Sequence, residues 1–360
     1  MRPAQIVDLF AGPGGLDVAA EKLGIPTVGI EWDESARETR KAAGLATVSG
    51  DVREFGPEIF PDASVLAGGP PCQTFTVAGG GAGRRALDDV LEFAKRVVSR
   101  EKREDIEADL LKLEDERTGL VLEPLRWVLE AIDGPGDAYD VIVLEQVPAV
   151  LPVWEAYAEA LVSEGYSVDC GILRTEAFGV PQTRRRAVLV ARAGEEGVSL
   201  PAPTHRTYRK GVPRASGDFR LKPWVTMGEA LDREYDFSVV SNYGTGGDPK
   251  LRGRRSSIEP ATTVTGKISR NRVVASDGTE LPRFSVAEAG MLQTFPVDYP
   301  WAGRDIAQQI GNAVPPRLGM HVLCAAIGLG IPSEEELDSL RNWRGVESRR
   351  VDRPDLHVVT

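Results

Sequence analysis

Cys72, set between Pro70-Pro71 and Gln73, is the side chain in this sequence best placed for covalent chemistry. It follows the apolar run 64–67 and the pair Gly68-Gly69, which puts it in a loop at the carboxyl end of a predicted strand. Open α/β sheets bind their ligands at that end. A free cysteine is more often a small buried hydrophobe, but a Pro-Pro-Cys-Gln loop bounded by glycines does not make a core element. Two prolines restrict the approach to the thiol, and the glycine-rich stretch 79–83 after it is long enough to move as a lid. Cys170 and Cys324 fall in apolar strand and helix patterns and fit a core instead.

Glu145 ends the apolar run Val141-Ile142-Val143-Leu144, so it shares a sheet rim with Cys72. A carboxyl against apolar surface keeps its proton more readily and serves as a donor near neutral pH. Ion pairing to an arginine is the alternative, and the two are compatible. Arginines stand ready in Pro181-Gln182-Thr183-Arg184-Arg185-Arg186, just ahead of another strand-like run. Alternate residues of an extended segment share a face, so Arg184 and Arg186 are expected to point together, with Arg185 opposite.

A second constellation lies near the N-terminus. The run Asp8-Leu9-Phe10-Ala11-Gly12-Pro13-Gly14-Gly15 joins a strand to a helix expected over 16–22. A glycine-rich turn of this kind lets a ligand meet the backbone and the helix start. The spacing is G-x-G-G, not G-x-G-x-x-G, which suits an adenosine-type ligand without a pyrophosphate. Glu31, 19 residues after Gly12, closes the next strand-like run and is placed to bind ribose hydroxyls. Trp32 is available to stack on an adenine, and Asp51 to hold its amino group. The bland alternative is a plain tight turn.

These residues need a scaffold, and the pattern supplies one. Residues 1–195 alternate apolar β-branched runs (6–10, 27–30, 64–67, 141–144, 167–173 and 187–190) with helical segments, which predicts a parallel sheet covered on both faces. Residues 196–282 are rich in Pro, Gly, Arg and Thr and read as a smaller, mostly β or irregular domain. Helical periodicity returns over 285–293, 304–310 and 317–329, so 283–330 rejoins the first domain. Residues 331–360 read as a charged, peripheral tail. The charged stretch 84–116 has helical spacing and is expected to be a solvated helix or helical hairpin.

Composition narrows the class. The chain has 360 residues, 42% hydrophobic and 27% charged, which suits a globular protein. No apolar run reaches the roughly 18 residues of a membrane span, and after Met1-Arg2 the chain enters a strand-like run, not a secretory pattern. Three scattered cysteines and three scattered histidines argue against disulfides and against a metal site. A reducing, cytoplasmic setting fits. The net charge of -11 opposes nucleic-acid binding, yet residues 204–272 carry 14 Lys+Arg against 7 Asp+Glu. A local basic face on an acidic chain remains compatible with DNA.

Taken together, 8–15, Glu31-Trp32, Gly50-Asp51-Val52, Pro70-Pro71-Cys72-Gln73, Glu145-Gln146-Val147, 182–186 and Gly311-Asn312-Ala313-Val314-Pro315-Pro316 stand in the order found in DNA (cytosine-5) methyltransferases, and the chain resembles that family over roughly 4–195 and 283–325. The resemblance implies a Rossmann-like class I methyltransferase sheet with a target-recognition domain at 196–282. It implies S-adenosyl-L-methionine as cofactor, held by Phe10, Ala11, Gly12, Gly14, Gly15, Leu16, Glu31, Trp32, Asp51, Val52, Pro70, Asn312 and Ala313. It further implies Cys72 as nucleophile at cytosine C6 and Glu145 as proton donor to N3. Arg186 would hold the cytosine O2, and Arg184 would support the loop or a phosphate. The substrate would be a short sequence in double-stranded DNA with its cytosine flipped out. A monomer with a companion restriction endonuclease is the expected setting.

Two departures from the family pattern bear on this reading. The family has Glu-Asn-Val where this chain has Glu145-Gln146-Val147, an extra methylene at a residue that fixes local backbone. The loop reads Gln73-Thr74-Phe75-Thr76 where Pro and Ser are commoner at the second and fourth places. Pro260-Ala261-Thr262-Thr263-Val264-Thr265 resembles a threonine-containing segment that closes the recognition domain in relatives. The alternatives are a transfer-RNA cytosine-5 methyltransferase and a catalytically idle DNA-binding relative. RNA-directed relatives carry a Cys-Phe-Thr segment, whereas no cysteine lies between Cys170 and Cys324 here.

Overall fold

The computed structural model describes residues 2–71, 81–113, 116–194, 197–241 and 253–343. Strand β1 (Ile6–Leu9) leads into helix α1 (Gly15–Lys22), and β2 (Thr27–Glu31) into α2 (Glu34–Ala43). After β3 (Ala46–Ser49) and β4 (Val65–Gly68) come three helices, α3 (Gly81–Val98), α4 (Arg103–Leu110) and α5 (Glu123–Asp133). Then follow β5 (Val141–Gln146), α6 (Leu151–Ser163), β6 (Tyr166–Arg174) and β7 (Arg185–Ala193).

These seven strands form one sheet in the order β3-β2-β1-β4-β5-β7-β6. The order reverses between β1 and β4. That reversal opens a crevice at the carboxyl ends of the strands, where ligands of doubly wound folds lie. The sheet is parallel as expected except at one strand: β7 runs antiparallel to both β5 and β6. The physical reason is the connection. A parallel crossover needs a dozen or more residues, usually a helix, and only a short 3-10 turn (Thr175–Phe178) and a few extended residues join β6 to β7.

Both faces are covered. Val7, Leu9, Leu66, Ile142 and Leu144 pack on one side with α3, α5 and α6 residues such as Val90, Trp127 and Trp154. Ile6, Val65, Ala67, Val141 and Val143 pack on the other, against Val18 of α1 and Leu318 and Leu323 further along the chain. The alternation follows the two-residue period of a strand.

A short helix α7 (Met227–Ala230) opens with a capping box from Thr226 and Glu229. It precedes a four-stranded antiparallel sheet of β8 (Ser238–Val240), β9 (Arg254–Ser256), β10 (Arg272–Val274) and β11 (Glu280–Leu281), ordered β11-β10-β8-β9. Helices α8 (Val286–Leu292), α9 (Ile306–Asn312) and α10 (Pro316–Ile327) return to the large sheet. Ala289, Leu292 and Ile310 of α8 and α9 also join the core of the small sheet, so this helical segment serves both layers.

Two expectations about packing change. The stretch 84–116 is a helical pair, but it is not simply solvated: Val90, Phe93, Ala94 and Ile106 are buried in the main core. The tail is not peripheral up to residue 343. Helix α11 (Glu334–Ser339) and the turn after it bury Leu337, Leu340 and Trp343. Trp343 meets the Tyr299 ring edge-on at 5.5 Å, and its backbone N–H donates to Asp298. Apolar residues at helical spacing were hidden among the charges of that segment. Among the described residues no helix is long and apolar enough to cross a membrane.

Candidate active site

The glycine-rich turn leaves β1 in a conformation that extended backbone cannot reach. Phe10, Gly12 and Gly14 have φ of 63°, 56° and 100°. A side chain at Gly14 would strike Leu45 at 2.3 Å, and one at Gly15 would meet the Val314 carbonyl at 2.1 Å. The segment 311–316 therefore closes directly onto the start of α1. Gly12 differs: nothing lies within 4 Å of where its Cβ would stand. That open face beside a backbone turn leaves room for a ligand.

Glu31 faces this turn from the end of β2. Its Oε2 accepts the Gly12 N–H at 2.6 Å and its Oε1 the Asp33 N–H at 2.7 Å. Burial raises the Glu31 pKa, opposed by those two backbone N–H groups. Trp32, 65% exposed, stands next to it. Asp51, 6% exposed, precedes a 3-10 turn (Val52–Glu54) and binds Arg53 through its backbone N–H and its guanidinium. Burial acts to raise the Asp51 pKa, but the Arg53 hydrogen bonds outweigh it and the group stays below its ordinary range. Ala11, Leu16, Val52 and Ala313 are buried around this region, and Asn312 is exposed with its amide oxygen taken by Gln308 at 2.7 Å. The region thus offers a carboxylate hydrogen-bonded to the glycine turn and a second carboxylate after the next strand.

The chemical end lies across the crevice. β4 pairs with both β1 and β5, so Gly68 sits opposite Leu9 and Leu144. The chain then runs through Gly69 and the buried Pro70 toward Cys72, which lies outside the described residues, as does the loop 73–80. What holds Pro70 is clear. The Gln146 amide donates to the Pro70 carbonyl, while its own carbonyl accepts the Val147 N–H at 2.5 Å. The extra methylene relative to Asn does not uncouple this residue from the loop; it spans from β5 to β4.

Glu145 and Arg186 form an ion pair, with Nε 2.7 Å from Oε1 and both side chains about one-eighth exposed. The angle is too bent for a hydrogen bond, and Glu145 Oε1 has no aligned donor among the described residues. The expected pairing of Glu145 with an arginine is present.

Arg184 requires a correction. It is 2% exposed, and its guanidinium donates to the carbonyls of Val264, Gly311 and Ala313 at 3.0, 2.9 and 3.4 Å. Burial and the neighbouring Arg186 lower its pKa to about 9. A side chain so enclosed cannot reach a DNA phosphate; it ties 264 of the small layer to the 311–316 segment. The other expectation for Arg184, support of the catalytic loop, falls on residues 73–80 that lie outside the described residues. Gln182 extends the tie, donating to Leu292 O and accepting the Val264 N–H at 2.9 Å each. Gln293 in turn donates to Ile310 O and Ala313 O, both at 2.9 Å.

A model of the C-5 cytosine-specific DNA methylase family matches residues 4–94 and 113–220, more than half of the chain and nearly all of this site. The chain belongs to that family. This methyltransferase is 26% identical over 354 residues to the Type II methyltransferase M.Sau96I of Staphylococcus aureus, covering 88% of this chain and 74% of the relative. It is 27% identical to the Type II methyltransferase M1.HphI of Haemophilus parahaemolyticus, covering 89% and 86%. In fold it resembles the S. pombe Dnmt2 methyltransferase with a TM-score of 0.59 at 16% identity, over 91% of this chain and 99% of that one. The enzyme is a DNA cytosine-5 methyltransferase with the fold expected of it, a Rossmann-like sheet carrying a small antiparallel layer.

Several residues of the site gave no signal in isolation. Asp17 and Arg40 form a two-pronged pair at 2.8 Å, both essentially inaccessible, beneath the glycine turn. Burial works against the Arg40 charge, but Asp17 outweighs it and keeps the guanidinium protonated. Asp8 beside them has its pKa raised well above normal by burial and by the Asp17 charge. Tyr299 donates to the Pro13 carbonyl at 2.5 Å across 286 residues of sequence. Only Asp8 lay within a recognisable motif.

Proposed function

We propose that this methyltransferase modifies C5 of a flipped-out cytosine in a short double-stranded DNA sequence, with Cys72 forming a transient bond to C6. The observation that carries the reading is the joining of two rims. Gly12 follows β1 and Glu31 ends β2, while Glu145 lies near the end of β5 and Arg186 near the start of β7, with Pro70 beyond β4 bound by Gln146. S-adenosyl-L-methionine, when bound, supplies an electrophilic methyl group. Glu31 would bind its ribose, Asp51 and the Val52 backbone its adenine, and Trp32 would stack against it, with Phe10, Ala11, Gly12, Gly14, Gly15, Leu16, Pro70, Asn312 and Ala313 completing the wall.

The protein's own steps follow from the residue types. The Cys72 thiolate adds to C6 of the cytosine, making an S–C6 bond and moving the C5–C6 electron pair toward C5. Glu145 gives a proton to N3, so negative charge does not accumulate on the ring. Arg186 sits beside Glu145 and would bind the O2 oxygen. Once C5 carries the methyl group, a base removes the C5 proton, the C5–C6 double bond re-forms and the Cys72 thiolate leaves. A base stacked in a duplex exposes neither face of C6, which is why the cytosine must leave the helix.

We assign 1–195 with 283–330 to catalysis and 196–282 to target recognition. The Arg/Lys excess of that region supports contact with phosphates and guanines. Relatives bearing Type II names support a companion restriction endonuclease, and a monomer in the cytoplasm is the working assembly. The test is incubation of purified protein with unmethylated plasmid and S-adenosylmethionine, read by nucleoside mass spectrometry and bisulfite sequencing. 5-Methylcytosine at a recurring short sequence is expected, and none with Cys72→Ala, which keeps cofactor binding. Methylation of transfer RNA but not plasmid in parallel tubes would favour the RNA alternative.

A further inference from the structure

The helical insertion between the catalytic loop and α5 reaches the cofactor pocket. Helix α4 is locked to α3 by Arg96, which pairs with both Glu101 and Asp109, and to the core by the buried Ile106. From its first turn Arg103 extends to the 3-10 turn after Asp51, where one terminal nitrogen donates to the Arg53 carbonyl at 2.6 Å. Arg126 on α5 grips the same turn, donating to Val52 O at 3.0 Å and Phe55 O at 2.9 Å. Glu130 joins the two arginines, at 2.6 Å from Arg126 and 4.0 Å from Arg103.

We propose that Arg103 is a positioning residue for the adenosine end of the cofactor. It acts through the backbone of Arg53, holding the turn so that Asp51 and Val52 face the adenine. The reasoning is geometric. Three carbonyls of one short turn, at 52, 53 and 55, are held by two cations from the insertion side. The same turn carries the carboxylate and backbone assigned to adenine. Arg126 is buried and its loss disturbs the core as well. Arg103 is 41% exposed at its side chain; it also pairs with Glu107 one turn along α4 at 2.6 Å, an exposed pair of little worth, so its hydrogen bond to the Arg53 carbonyl is what it adds to the turn. The proposal rests on the assignment of Asp51 and Val52 to the cofactor.

The experiment compares full-length wild type, Arg103→Gln and Arg103→Lys. S-adenosylmethionine affinity is measured by titration calorimetry, alongside kcat and cofactor KM at saturating DNA. For Arg103→Gln the cofactor Kd and KM should rise about three- to tenfold, the scale of one backbone hydrogen bond, while kcat stays within about twofold and the melting temperature is kept. Arg103→Lys, which can still donate to the Arg53 carbonyl, should recover part of that loss. A Kd in Arg103→Gln equal to wild type overturns the proposal, and so does a fall in kcat with Kd unchanged. Wild type that fails to bind S-adenosylmethionine overturns the pocket assignment and the proposal together, so the two failures are distinguishable.

Discussion

Arg186 places its Nε 2.7 Å from Oε1 of Glu145 at an angle that forms an ion pair but leaves the carboxylate oxygen without an aligned hydrogen bond. That unpartnered oxygen is free to carry the proton that the proposed donation to a ring nitrogen requires, and the arginine stands beside it. Glu145→Gln preserves shape and removes the transferable proton. Its kcat should fall by about 10² to 10⁴, the range for a lost general acid, with DNA affinity by gel shift near wild type. An unchanged kcat removes Glu145 from the acid role.

Gln146 is the departure most open to experiment. Its amide joins Pro70 to Val147 and thereby sets the exit of β4 toward Cys72. Gln146→Ala should lower kcat roughly tenfold by releasing Pro70, the cost of one to two hydrogen bonds. The cofactor Kd should not move. A steady-state kcat equal to wild type would mean that the Pro70 tether is dispensable.

Arg184 is expected to act on stability. Replacing it with methionine leaves the carbonyls of Val264, Gly311 and Ala313 without their donor inside the protein. The penalty should be on the order of 2 to 4 kcal/mol, as for other disrupted buried polar networks. Urea unfolding followed by tryptophan fluorescence measures it. A midpoint within error of wild type, with DNA binding weakened instead, would return Arg184 to a role in DNA contact.

Acid should weaken the fold through two histidines. His205 and His321 are 5% and 2% exposed, and burial, then the Arg317 charge, lowers their pKa values to about 4 and about 3. The unfolded chain takes up protons on these rings near pH 6.5 while the native state does not. Stability is therefore full above about pH 6.5 and is lost progressively as pH falls toward 4. Denaturant midpoints between pH 7.5 and 5 should decline, and the slope should flatten in a His205→Gln/His321→Gln variant. A slope unchanged by that double substitution would assign the acid sensitivity to other groups.

The chemistry-bearing residues were legible because their motifs are local. Gly12 needs a turn that only glycine adopts freely, Glu145 ends an uninterrupted apolar strand, and Pro70-Pro71-Cys72-Gln73 has no core reading. Strand period, helix period and loop composition act over a few residues, so one chain of letters suffices to place β1, β2, β4 and β5 and the rim they share. Other features depend on partners far away in sequence and had no local mark. The direction of β7 follows from the short connection after β6. The burial of Arg184 depends on carbonyls 80 and 127 residues distant. The packing of Trp343 on Tyr299 and the grip of Arg103 on the Arg53 carbonyl likewise join segments that local propensity cannot relate. Residue type set what each side chain could do. Whether an arginine faces solvent, a base or a backbone carbonyl was decided only when the chain closed around it, because desolvation is a property of the surroundings and not of the residue.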